Sequence, residues 1–159
     1  MKRSRYIWIF VLLCAGLLLA QTIKEFGAHG STQWTSTTNE AAASPENKAW
    51  LAKGRPETIQ GEVVDVSCYL QLGKTGPKHA DCGAKGVRNG QPVGILTASK
   101  ELYIVMPEEH HPRRDGKTYV HEEFAKEMGN QVKVTGMVQK RPEGKAIFVN
   151  NMEVKKQGS

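Results

Sequence analysis

The chain has 159 residues, which makes a single domain the default. Its formal net charge is +6, and loss of Lys2, Arg3 and Arg5 with a cleaved leader would take +6 to +3. So mild a balance suits a soluble surface and argues against an obligate nucleic-acid binder, which concentrates basic charge on one face.

Lys2, Arg3 and Arg5 precede a nearly unbroken apolar run from Tyr6 to Ala20, with no further charge until Lys24. This layout predicts a secretory signal peptide or a short uncleaved membrane anchor over residues 1–23. The run is shorter than the roughly 20 apolar residues that a spanning helix needs. The expected location is therefore extracytoplasmic, either periplasmic or secreted, with membrane contact only through an uncleaved leader. Cys14 lies inside the apolar run, so the mature chain keeps Cys68 and Cys82, an even pair in an oxidising compartment.

Residues 24–56 read as a tether with one short helix. Up to position 43 the segment is rich in Ser, Thr, Gly and Ala and has no apolar period. Ser44-Pro45-Glu46 then has the chemistry of a helix start, and Gly54 that of a stop, predicting a helix over Pro45–Lys53 that buries Trp50 and Leu51. Trp34 has no assigned role.

From Glu57 the apolar period becomes two, which predicts a β domain over residues 57–155. In the first strand Val64, Val66, Cys68 and Leu70 share a face. A long glycine-rich loop follows. Val93–Thr97 and Leu102–Met106 read as a hairpin, with Leu102, Ile104 and Met106 lining one apolar face. Pro107–Lys117 reads as a loop, and His121–Met128 as a helix stopped by Gly129. Gln131–Lys140 and Lys145–Val154 form the last hairpin, with a bulge or bend at Gly136 and a slip of alternation near Asn150 and Asn151. The fold class is thus mostly β: a five-stranded, OB-fold-like Greek-key barrel with a short helix between strands three and four, preceded by the leader.

Two stretches carry a resemblance. Asn130-Gln131-Val132-Lys133-Val134-Thr135-Gly136, followed by Gly144-Lys145-Ala146-Ile147-Phe148-Val149, resembles the last hairpin of bacterial exported OB-fold proteins. Cys68-Tyr69-Leu70, Gly73, Gly76, His79, Cys82, Gly90, Pro92, Val93 and Gly94 resemble a set of uncharacterised secreted bacterial proteins over roughly residues 60–154. The resemblance implies a four-ligand set whose further Cys often falls where this chain has Gly86, so the set is incomplete here and the carry-over of metal binding is weakened.

Cys68, His79 and Cys82 are the residues whose chemistry stands out. Thiolate and imidazole suit borderline and soft ions, so the cofactor expected is a transition metal, zinc or copper. His79 and Cys82 are close enough in sequence to face one ion from a single turn, and His110, His111 or Met106 are the further candidate ligands. The competing reading is a Cys68–Cys82 disulfide, closing a loop of about 15 residues for roughly 3 kcal/mol in the chain-entropy model.

His110 and His111 also suit a solvated loop, His121 an exposed helix start, and Glu122 and Glu123 a dipole complement. Tyr69, Tyr103 and Tyr119 could stack on bases but suit half-buried strand positions better. No nucleophile motif, phosphate loop or paired-carboxylate signature is present, so nothing points to an enzyme. The expectation is a binding module whose Cys/His loop holds a metal or forms a redox-sensitive bridge. The alternatives are a disulfide-stapled interaction domain of the cell envelope, and an oligonucleotide or oligosaccharide binder. The partner is an envelope protein or a small ligand.

Overall fold

The computed structural model describes residues 23–27, 32–108 and 119–150. The predicted leader, the candidate ligands His110 and His111, and Asn151 of the expected slip lie outside the described residues.

Strands β1 (Lys24–Phe26), β2 (Arg55–Asp65), β3 (Val93–Leu96), β4 (Leu102–Pro107), β5 (Gln131–Arg141) and β6 (Gly144–Val149) form one sheet in the order β1-β5-β2-β3-β4-β6. Because β5 also pairs with β6, the sheet closes into a barrel of β2, β3, β4, β6 and β5, and β1 lies outside that ring along β5. Neighbours are antiparallel except β4 with β6 and β1 with β5. Closure pairs every strand of the ring on both sides and leaves no barrel edge to protect.

The interior is aliphatic. Val63, Ile95, Val132, Val134, Ile147 and Val149 are sealed from water, and each such side chain contributes about 1.5–3 kcal/mol on burial. Two glycines allow the strands to approach closely. A Cβ on Gly61 would lie 2.5 Å from the Leu96 carbonyl oxygen, and one on Gly136 would collide with the Phe148 carbonyl oxygen. The bulge expected at Gly136 is not formed, since the β2–β5 register runs unbroken from Arg55↔Val138 to Glu62↔Gln131. The glycine instead admits β6 where the barrel closes.

Helix α1 (Ser36–Ala41) is capped by Thr35, and α2 (Pro45–Leu51) is capped by Ser44, whose hydroxyl accepts from the Asn47 amide. Helix α3 (Val66–Leu72) continues directly from β2, and α4 (Ala80–Arg88) follows a 3₁₀ turn at Pro77–His79. Helix α5 (Tyr119–Ala125) falls between the third and fourth barrel strands, as the sequence predicts, and buries Val120, Phe124 and Ala125. Arg88 of α4 and Glu122 of α5 make a surface ion pair at 2.9 Å.

Four expectations need correction. The segment 24–43 is not a plain tether: β1 sends Phe26 into the core, stacked on Phe124 at 4.3 Å between centroids, and α1 covers the barrel near Glu108. Trp50 is 56 % exposed rather than buried, with the Arg141 guanidinium 3.5 Å from its ring centroid. On β4 the inward residues are Tyr103 and Val105, while Leu102 and Ile104 are half-buried and Met106 is exposed. Both faces of that strand are apolar, so alternation alone had no basis for choosing between them. Finally, the first barrel strand ends at Asp65, which places Cys68 and Leu70 on a helix, with Leu70 exposed.

Candidate metal centre

The change from strand to helix at Asp65 builds the site. Asp65 is buried, and its carboxylate accepts from the Cys68 amide at 3.0 Å, satisfying one of the free donors of the α3 N-terminus. The helix stops at Gly73, which sits at φ 65, a conformation that glycine adopts without a Cβ penalty. A second left-handed glycine, Gly76 at φ 77, turns the chain back, and its amide donates to Glu62. The 3₁₀ turn then delivers His79, and the first turn of α4 delivers Cys82.

One ligand atom each from Cys68, His79 and Cys82 lies within 4.8 Å of the other two. In a tetrahedral zinc site the thiolate and imidazole ligand atoms stand roughly 3.5–3.8 Å apart. Exposure rises across the set: His79 is buried, Cys68 is half-buried and Cys82 is exposed. The Nε2 atom of His79 is buried without a hydrogen-bond partner. An unsatisfied buried nitrogen costs about 1–3 kcal/mol, which a metal ion or other ligand would offset.

Both cysteines are free thiols, so the disulfide weighed from the sequence is not formed here. The Cys68 thiol is pushed above its ordinary range, first by burial, then by the Asp65 carboxylate and its hydrogen bond, then by Cys82, with Lys74 opposing. Cys68 therefore keeps its proton near neutral pH, and an ion binding there displaces it.

The expected long loop is largely helical, and that is what brings the three residues together. Of the further ligands, Met106 faces a groove beside Trp34, Trp50 and Phe148. Two neighbours of the cluster escaped the sequence reading. Asp65 was legible as a cap, with Gly73 as its matching stop. The nearness of Met128, three residues past α5, to the cluster had no sequence signal. Its Sδ would lie 2.9 Å, and the His79 Cδ2 3.4 Å, from a Cβ built on Gly83, so thioether and imidazole both crowd that glycine. A Cβ on Gly86 would point into the Asp65 carboxylate, so no side chain fits at that helix position beside the acid.

No family model, curated protein or solved structure matches the chain.

Proposed function

We propose that this protein is an exported, OB-fold-like barrel that holds one thiophilic transition-metal ion, zinc or copper(I), on Cys68, His79 and Cys82. The observation that carries the reading is the convergence of two sulfurs and an imidazole within 4.8 Å, with a buried His79 nitrogen left unpartnered. Thiolate and imidazole donors favour these ions over magnesium or calcium, which take oxygen. Asp65 acts behind the ligands, orienting Cys68 through its amide and thiol. The OB-fold assignment is supported by the strand order and by the helix between the third and fourth barrel strands. Export is supported by the basic start and apolar run of residues 1–20.

A second reading, a reversible Cys68–Cys82 disulfide, is favoured by the same closeness of the sulfurs. It excludes the first in any one molecule, since a bridge offers no thiolate. Binding of oligonucleotides draws less support, because Tyr103, a candidate stacking ring, is buried.

Metal analysis after reduction, combined with thiol counting, tests the reading. Reduced protein should bind one zinc or copper(I) ion per chain and mask both thiols, and Cys82→Ser should lose most of that binding. No metal above background in reduced protein would overturn the proposal. A thiol count that falls to zero on exposure to air, without metal uptake, would leave the disulfide reading standing.

A further inference from the structure

From Cys68 to His79 the chain makes an excursion that starts and ends at one place, since a ligand atom of each residue lies within 4.8 Å of the other. Every residue over positions 70–75 of that excursion is exposed. Leu70 is 69 % exposed and Leu72 62 %, the highest values among the exposed large apolar side chains of the described residues. A Cβ on Gly73 or Gly76 would meet nothing within 4 Å, so the backbone there borders open space. The segment is a projecting tip, tied back to the barrel where the Gly76 amide donates to Glu62.

Lys74 and Lys78 follow the two leucines, and among the described residues no ion pair involves either lysine. Asp81 is the one acid over residues 70–88. Leucines beside unpaired lysines suit the surface of an anionic bilayer, where apolar side chains enter the headgroup boundary and cations meet lipid phosphates. They suit a protein partner less well, because protein interfaces are depleted in lysine and draw most of their binding energy from Trp, Tyr and Arg. Position favours the same occupant. Pro77 lines one cleft with Ile23 and Lys24, where the leader expected over residues 1–23 joins the barrel.

We propose that the tip, residues 70–78, docks on an anionic lipid surface, with Leu70 and Leu72 in the headgroup boundary and Lys74 and Lys78 on the lipid phosphates. The Cys68, His79 and Cys82 cluster lies at the base of the tip, so docking holds it beside the bilayer.

The test uses the full chain, free of metal, on vesicles of phosphatidylglycerol and acyl-brominated phosphatidylcholine, with Leu72→Trp as reporter. The leader is common to all variants, so the difference in fluorescence from the unchanged chain reports the tip alone. The added indole should be quenched on these vesicles and not on brominated phosphatidylcholine alone. Each lysine at an anionic surface contributes about fivefold in binding, so Lys74→Glu with Lys78→Glu should weaken docking about 25-fold and abolish the added quenching. In the unchanged chain, anionic vesicles should slow acetylation of Lys74 and Lys78 in peptide mass analysis, which serves if the reporter variant fails to fold. Neither added quenching nor protection on anionic vesicles would overturn the proposal and turn the tip toward an acidic protein partner. So would quenching that survives the charge reversal or is equal on uncharged vesicles. Because the protein is metal-free throughout, failure of the metal reading leaves these outcomes unchanged.

Discussion

Replacing Cys82 by serine separates the metal reading from every structural role of that residue. Cys82 is exposed and free, so in metal-free, reduced protein the substitution should change stability by no more than about 0.5 kcal/mol. Metal linkage works on a larger scale. An ion held at 100 times its dissociation constant stabilises the folded chain by about 2.7 kcal/mol. For a folded unit of this size each kcal/mol moves the melting temperature by about 3–5 °C, so saturating zinc should raise the wild-type midpoint by roughly 8–14 °C. Cys82→Ser should lose most of that rise, keeping only Cys68 and His79 as donors. The assay is thermal unfolding followed by circular dichroism, with reductant throughout, with and without zinc, for both proteins. If the two proteins rise equally with zinc, or neither rises, the convergence of the three side chains does not make a metal site. If instead the wild type loses about 3 kcal/mol on adding reductant, the disulfide is the stabilising feature.

Other consequences of the geometry can be checked separately. Iodoacetamide should modify Cys68 more slowly than Cys82 at pH 7.5, as followed by peptide mass analysis, because Cys68 is half-buried and its proton is held more tightly. The sign for metal binding follows from the same raised value. Below it the Cys68 proton must leave when metal binds, so apparent affinity in chelator competition should fall as pH falls, by about tenfold per unit for each proton displaced. Asp65→Ala should cost about 0.5–2 kcal/mol in urea unfolding through loss of the α3 cap, and should speed alkylation of Cys68. Phe26→Ala should cost about 3–5 kcal/mol if β1 belongs to the folded unit, since its ring is 4 % exposed and stacked on Phe124. A loss below about 1 kcal/mol would mean β1 is only loosely docked. Gly136→Ala should be destabilising by several kcal/mol in the same assay, because its Cβ would meet backbone, which cannot rotate away.

The parts of the fold that were legible share a physical cause. Val132 and Val134 alternate as a strand must when one face is less buried than the other, the Val93–Leu96 run clusters as a strand buried on both faces must, and β5 and β3 follow. Ser44-Pro45 announces a helix start through local hydrogen bonding that needs no tertiary partner, and Ser44 caps α2. The site was legible only as a list of residue types. Its residues were assigned to a strand and a loop, because Val64, Val66, Cys68 and Leu70 keep a period of two past the point where Asp65 turns the chain. The alternation there is real, but Leu70 is exposed and the helix cap overrides it. Glycines 73, 76, 83, 86 and 90 read as a loop, yet Gly83 and Gly86 lie inside α4, where packing against Met128 and Asp65 leaves no room for a side chain.

The amino-acid order by itself determined the barrel strands, the placement of the helix among them and the identity of the soft donors. Those are consequences of apolar period and side-chain chemistry, which act over a few residues. Only the tertiary structure decided which face of β4 is inside, that Phe26 joins the core, that Cys68, His79 and Cys82 meet, and that Glu108 is buried. Each of these depends on closing the sheet on itself and packing α3 and α4 at the end of β2, contacts between residues far apart in the chain that no local pattern encodes.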